Sequence, residues 1–189
     1  MPEQSLDKGA PMSSAPMTYR PDRAPDWGAM WDSYCALPRD GGPPHRATML
    51  CAQEKADPAS PGYGAACAEI AGGIQAVSGL SASPSDPGWL AVHCPSAGMA
   101  RWLAEAIVEE RVGARADGKL LLLPVGDYYT VEGEIKNVIT VVAKTTHYWN
   151  AHVPLETKRY LATMERIAGL KARITGRLRR TQNGRRDRT

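Results

Sequence analysis

The sequence predicts an α+β fold, in which a small mixed or antiparallel sheet is covered by helices. Three observations support this: helically spaced apolar residues in 67–77, short strand-like segments at 89–94 and 119–124, and a long helical pattern over 132–150. Together they give an α-β-α-β-β-α core between residues 65 and 150. Extra N-terminal helices precede this core, and a basic C-terminal helix follows it.

Composition divides the chain into four parts. Residues 1–25 are rich in Pro, Ser, Met and charge without a period, which is typical of a disordered tail. A single α+β domain is predicted for 26–153, a basic amphipathic helix for 154–180 and a disordered basic tail for 181–189. The length of 189 residues suits one hydrophobic core.

Two helices are predicted before the main core. The first covers about 27–37, with Asp26 as its N-cap. A shorter second helix is predicted after His45, with Leu50 and Cys51 facing inward.

A third predicted helix follows a Pro/Gly connector at 56–64, with Gly72 and Gly73 in its interior. Each of these glycines costs about 1 kcal/mol relative to Ala, so the helix needs tertiary support. Its inward face consists of Cys67, Ile70, Ile74 and Val77. Residues 79–88 are predicted to form a turn-rich break.

The strand at 89–94 is predicted to lead into a helix capped by Ser96. Asp117-Gly118 predicts a hairpin turn joining 111–115 to 119–124. The second hairpin strand has the sequence KLLLLP, which indicates a central strand covered on both faces. The inward stripe predicted for the helix after Ser96 is Met99, Trp102, Leu103, Ala106 and Ile107.

The segment 132–150 is predicted to be a helix although it is rich in β-branched residues. A strand is the alternative, but a period of two separates its polar and apolar residues poorly. The helical period separates them well. The apolar arc consists of Ile135, Val138, Ile139, Val142, Thr146 and Trp149.

The remaining composition argues against several classes of protein. The four cysteines, at 35, 51, 67 and 94, match no zinc-module spacing. The first residues lack the basic start and apolar run of a signal peptide, and no apolar run reaches membrane-spanning length. We therefore expect a cytoplasmic protein with reduced cysteines and no transmembrane segment.

Charge is distributed unequally along the chain. Residues 155–189 contain 11 Lys+Arg and 3 Asp+Glu, a net of +8, whereas residues 1–154 carry about −5. This basic helix predicts an acidic protein partner, a larger assembly or a second copy of the chain. Nucleic acid and an anionic membrane surface are alternatives. Its expected partner-binding residues are Lys158, Arg159, Arg166, Arg173, Arg177 and Arg179, beside an apolar edge of Tyr160, Met164, Ile167, Ile174 and Leu178.

The segment HCPSAGMAR resembles a cysteine-phosphatase loop, but six residues rather than five separate Cys94 from Arg101. The extra residue rotates Arg101 by about 100° around its helix and away from the phosphate cradle. A non-catalytic anion site at Ser96 and Gly98 is the weaker version of this hypothesis. The favoured interpretation is that Ser96 caps the helix and Cys94 is a buried strand residue.

A second candidate ligand site is the polar stripe of helix 132–150, formed by Lys136, Thr140, Lys144 and His147 with Asn137 at its edge. Two cations, a hydroxyl and an imidazole suit a carboxylate or phosphate ligand. Tyrosines of loop 126–130 would wall this pocket if the loop folds over it. A solvated helix face is the more common explanation for such a stripe.

The low-ranked metal candidates are His45, Cys94, His147 and His152, because the sequence contains no HEXXH or CxxC signature. The sequence leaves the identity of any cofactor unknown. The leading hypothesis is a non-catalytic accessory protein that contacts an acidic partner and an anionic ligand. The alternatives are a small enzyme or cofactor-handling protein, with a pocket near 94–98 and His147, and a nucleic-acid-binding protein.

Overall fold

The computed structural model describes residues 17–30, 48–53 and 55–164. It confirms the α+β prediction, with a four-stranded antiparallel sheet and packed helices. The elements are α1 (Pro61–Ser78), β1 (Ala82–Pro84), β2 (Trp89–His93), α2 (Ala97–Glu109), β3 (Arg115–Asp117), β4 (Leu120–Pro124), a π-helical turn (Val131–Ile135) and α3 (Lys136–Ala151). Residues 27–30 and 155–164 are also helical.

The sheet has the order β1-β2-β4-β3, so β4 is a central strand, as predicted. Its register with β2 runs from Trp89 opposite Pro124 to His93 opposite Leu120. Side chains on both faces of β4 are buried, which confirms the interpretation of KLLLLP. On one face, Leu90, Val92, Leu121 and Leu123 join the hydrophobic core.

The predicted hairpin is present, although β3 begins at Arg115 rather than at residue 111. Asp117 pairs with Leu120 across a two-residue turn, in which Gly118 has a φ of 54°. That backbone conformation is accessible to glycine at little cost. The turn residues are Gly118 and Lys119, one position later than the predicted Asp117-Gly118, and Asp117 is the last residue of β3.

The segment 79–88 contains a strand that the sequence analysis did not predict. β1 pairs antiparallel with β2, with Ser83 opposite Ala91. Its three residues, Ala-Ser-Pro, have low intrinsic strand preference. The strand forms because β2 provides an unpaired edge beside it.

Helix α1 begins at Pro61, within the segment predicted as a connector, because Pro is well tolerated at the first helical position. Its predicted inward residues Cys67, Ile70 and Ile74 are buried. The helix ends at Gly79, which has a φ of 72° and donates its N–H to the carbonyl of Gln75 at 3.0 Å. This left-handed glycine is a common C-terminal cap.

Helices α1 and α3 pack closely where α1 carries Gly73. A Cβ at this position would overlap the Ile139 Cδ1 atom and would lie 2.8 Å from Ile139 Cγ1 and 3.1 Å from Trp27 Cδ1. The Trp27 indole also donates to Glu69 Oε1 of α1 at 2.8 Å. Gly73 therefore allows the contact that supplies the tertiary support expected for α1.

The long segment 132–150 is helical, and its predicted apolar arc is buried. The α-helix begins only at Lys136, because Gly133 leaves helical geometry with φ −102° and ψ −108°. Helix α3 contacts both α1 and α2. Several polar residues on its other side are consequently also buried, which the helical period alone did not indicate.

The N-terminal predictions have mixed outcomes. Asp26 caps the first helix by accepting the N–H of Ala29 at 3.0 Å, as predicted. Residues 31–37 of that helix lie outside the described residues. Residues 17–25, which were assigned to the tail, form a turn in which Tyr19 donates its hydroxyl to Glu132 Oε1 at 2.7 Å.

The predicted second helix is wrong for residues 48–53, which are not helical. Leu50 instead forms a parallel β-bridge with Val112. Its N–H donates to the carbonyl of Arg111 at 2.9 Å, and its carbonyl accepts from Gly113 at 2.7 Å. Leu50 is buried as predicted, but Cys51 is exposed.

We expect substitutions of the two neighbouring glycines of α1 to have opposite effects on stability. Gly72→Ala should raise the free energy of unfolding by about 0.5–1 kcal/mol, because Gly72 is exposed and a Cβ there would have no atom of the described residues within 4 Å. Gly73→Ala should lower it by about 1–3 kcal/mol, because the methyl group displaces Ile139. Urea denaturation measures both values. Equal stability of the two variants would contradict the close approach of α1 and α3.

Candidate functional site

The junction between β2 and α2 has the geometry of a helix cap. Ser96 has extended backbone angles, and its Oγ accepts the N–H of Met99 at 3.1 Å. Gly98 is buried in the first turn of α2. The Ser96 hydroxyl therefore serves the helix itself, which agrees with the favoured interpretation of this segment.

Cys94 is buried beside this junction, with 5% of its surface exposed. Its N–H donates to the carbonyl of Lys119 at 2.9 Å, which continues the β2–β4 ladder. Burial raises the pKa of the Cys94 thiol to about 11. A thiol with this pKa is protonated at neutral pH and is a poor nucleophile.

Arg101 does not act as a phosphate clamp in this structure. Its Nε lies 3.1 Å from Glu105 Oε1, one helical turn further along the exposed side of α2. Neither element of the phosphatase-like motif is thus prepared for catalysis: the thiol is neutral, and the guanidinium is engaged in an ion pair.

The polar stripe of α3 is not one solvated face. Thr140 is completely buried and donates its hydroxyl to the carbonyl of Lys136 at 2.5 Å. Lys144 lies 2.5 Å from Glu110 Oε1 at the end of α2. His147 is exposed.

Lys136 is 5% exposed, and burial lowers the pKa of its ammonium, although the Glu132 carboxylate opposes this shift. Thr140 and Lys144 also make contacts within the fold, through the hydrogen bond to the Lys136 carbonyl and the ion pair with Glu110. The geometry does not present the four residues together to a ligand.

Asn137 is the most unusual polar residue of α3. It is completely buried, and within the described part of the chain neither its Nδ2 nor its Oδ1 has a hydrogen-bond partner. An unsatisfied buried amide of this kind reduces stability. The sequence placed Asn137 only at the edge of the stripe, since a helical wheel cannot show which neighbours enclose that edge.

The loop expected to fold over this stripe is attached elsewhere. The Tyr129 hydroxyl donates to the carbonyl of Cys51 at 3.3 Å, and the N–H of Asp127 donates to Gln53 Oε1 at 3.1 Å. Tyr128 is exposed. The loop 126–130 is therefore hydrogen-bonded to residues 51–53 and does not cover the polar stripe.

Two of the four metal candidates lie together. The imidazole rings of His147 and His152 have centroids 5.6 Å apart at the C-terminal end of α3. Within 17–30, 48–53 and 55–164, no group of three or more His, Cys, Asp or Glu residues could hold a metal ion. Cys94 therefore does not complete this pair, and His45 lies outside the described residues.

Sequence reasoning did not identify the two depressions that flank α2. A groove of about 630 Å³ separates α2 from β3, and a cleft of about 260 Å³ separates α2 from the helix at 155–164. Arg101 and Glu105 line both. The groove and the cleft depend on which elements pack next to α2, so no local sequence pattern predicts them.

The start of the C-terminal helix contacts the body through Leu161 and Lys158. Leu161 packs against the hydrophobic core. Lys158 Nζ lies 5.5 Å from the centroid of the Trp149 ring and donates to the carbonyl of Asn150 at 3.3 Å. Tyr160 and Met164, two members of the predicted apolar edge, are 62% and 47% exposed. The other predicted basic residues from 166 onward lie outside the described residues.

No family model matches the chain, and no curated protein matches its sequence. Among the helices of the described residues, none combines the length and apolar character needed to span a membrane.

We expect Cys94 to react far more slowly than exposed Cys51 with iodoacetamide at pH 8. A thiol with a pKa of about 11 has a thiolate fraction about 100-fold smaller than one at the usual value of 9.0. Peptide mass spectrometry measures both rates, and in denaturant they should become similar. Rapid native modification of Cys94 would contradict its burial and would revive the nucleophile hypothesis.

We expect Asn137→Leu to raise the free energy of unfolding by about 1–2 kcal/mol. Leucine has the same number and branching of side-chain heavy atoms, and it removes two unsatisfied polar atoms from the interior. Asn150→Leu, on an exposed part of the same helix, is the matched control and should change stability by less than about 0.5 kcal/mol. Destabilisation by Asn137→Leu would show that the amide has a partner in solution.

Proposed function

We propose that this protein is a non-catalytic accessory protein that docks on an acidic partner protein through its basic C-terminal helix. The observation that carries this proposal is the exposure of Tyr160 and Met164, beside an open cleft, on a helix that Leu161 attaches to the body. Exposed apolar side chains that recur along one helix edge are typical of a helix that docks in a groove.

The attachment of the helix determines which edge it offers. Leu161 and Lys158 contact the body around Trp149. Tyr160 and Met164 are one helical turn apart and about 60–100° around the helix from Leu161. The body thus supports the beginning of the helix. The exposed side chains of Tyr160 and Met164 line the cleft that this helix forms with α2, so a partner segment would enter that cleft.

Charge supports an acidic partner. The sequence continues the apolar spacing through Ile167, Ile174 and Leu178, and it surrounds that spacing with arginines. A partner groove would therefore have an apolar floor and a rim of carboxylates. Charge-assisted hydrogen bonds to arginine would make such binding sensitive to salt.

The interior of the body offers little support for the enzyme alternative. The Cys94 thiol is neutral at physiological pH, and Arg101 is paired with Glu105. The polar groups of α3 mostly contact the fold itself. These features favour a binding role, with the body acting as the support for the helix.

The proposal predicts that the apolar edge of the helix is required for partner capture. Tagged full-length protein, Tyr160→Ala/Met164→Ala and the control Leu155→Ala are recovered from the source cells after nuclease treatment. Leu155 is a suitable control because it is 60% exposed on another side of the same helix. An acidic protein should co-purify with the unmodified chain and with the control, and the double variant should lose it at least about tenfold.

The purified partner should then bind the unmodified chain directly in calorimetry, with an affinity that falls as salt increases. Equal capture by all three proteins would contradict docking through this edge. In a parallel capture without nuclease, recovery of nucleic acid in place of a protein would support the nucleic-acid alternative, since phosphate binding does not need the apolar edge.

A further inference from the structure

The backbone of β3 leaves hydrogen-bonding groups at the edge of the sheet. Asp117 and Leu120 flank a two-residue turn, so they exchange their N–H and carbonyl groups, and Arg115 does the same with Leu122. Alternation along the strand then directs the N–H and carbonyl of Ala116 away from β4. The order β1-β2-β4-β3 leaves that side of β3 unpaired within the described sheet.

The groove beside this edge is lined by small side chains and by the charged residues Arg101, Glu105, Glu109 and Arg115. It lies between α2 and β3 and has a volume of about 630 Å³. Small side chains allow another backbone or helix to approach closely. The small and medium-sized residues that line the groove are Ala97, Ala104, Val108, Ala114 and Ala116.

Charges on β3 favour one kind of occupant. Arg115 and Asp117 flank Ala116 and project from the same sheet face. The guanidinium of Arg115 lies 4.0 Å above the Trp89 ring, and its Nη2 forms an exposed ion pair with Asp86 Oδ2 at 3.9 Å. In an antiparallel pair of β3 strands centred on Ala116, Arg115 lies opposite Asp117 of the second copy. The two-fold symmetry forms this pair twice, whereas a parallel in-register pair would oppose like charges.

Helix α2 has a similarly self-complementary exposed side. Arg101, Glu105 and Glu109 occur at spacings of four along the groove. An antiparallel α2 of a second copy would bring Arg101 close to the acidic residues of its neighbour. Short edge strands with charges often resist pairing with other chains, but these charges match their own antiparallel copy.

We propose that β3 pairs antiparallel with β3 of a second copy, producing a homodimer with a continuous eight-stranded sheet. Ala116 of each copy exchanges its N–H and carbonyl with Ala116 of the other. The two α2 helices lie side by side over the junction and fill the grooves. The short strand pairing sets the register, and the α2 contact supplies most of the buried area that a stable interface requires.

Sedimentation equilibrium of the full-length protein, up to about 0.1 mM, tests this proposal, because dimer population depends on concentration. The unmodified chain should be dimeric. Ala116→Pro removes only the outward N–H and is compatible with an edge strand, so it should raise the dimer Kd at least about tenfold. Circular dichroism checks that the variant remains folded.

A charge-exchange experiment tests the register without using proline. Arg115→Asp and Asp117→Arg should each be monomeric alone, because each places like charges opposite one another. An equimolar mixture should form a heterodimer, because both cross-strand pairs are then opposite in charge. Native mass spectrometry distinguishes the three species by mass.

A control variant distinguishes dimerisation through β3 from partner binding through the C-terminal helix. Tyr160→Ala/Met164→Ala should dimerise like the unmodified chain, since neither residue lies on β3 or in the groove. A monomeric unmodified chain would overturn the proposal. The proposal would also be wrong if Ala116→Pro and both charge variants remained dimeric. Loss of the dimer only in the Tyr160/Met164 variant would contradict it as well.

Discussion

The close contact between α1 and α3 at Gly73 is the constraint on which most of the molecule depends. Ile139 occupies the space that any side chain at Gly73 would need. Helix α3 is thereby held against α1, and on another side it meets α2, where Lys144 contacts Glu110. A helix enclosed in this way has few solvent-facing positions, so its polar residues must be satisfied within the fold.

That enclosure explains the behaviour of the polar residues of α3. Thr140, Thr145 and Thr146 each donate a hydroxyl to a carbonyl one turn earlier, which satisfies the hydroxyl without an outside partner. Asn137 lacks such a bond, and burial lowers the pKa of Lys136. The stripe that looked like a ligand site is therefore mainly a consequence of packing.

The available surfaces lie on either side of α2 instead. One side carries the groove at the free edge of β3, and the other carries the cleft beside the C-terminal helix. The ion pair between Arg101 and Glu105 forms the ridge between them. The proposed self-association surface and the proposed partner-binding helix therefore lie on the two sides of α2, and both adjoin Arg101 and Glu105.

The sequence by itself determined the elements whose signals are local. Asp26 and Ser96 are caps because their side chains reach N–H groups three residues away, and the hairpin turn forms at Gly118, next to Asp117, because glycine accepts a positive φ. The apolar arc of α3 follows from the helical period. The charge contrast between the body and the last 35 residues is likewise readable directly.

Tertiary structure decided the features that depend on distant neighbours. β1 exists because β2 offers an edge, and Leu50 is extended because its backbone bonds with residues around Val112. The wheel of α3 showed where apolar residues lie but not that α1 and α2 would enclose the polar positions as well. Periodicity records one face of an element, whereas burial depends on every element that packs around it.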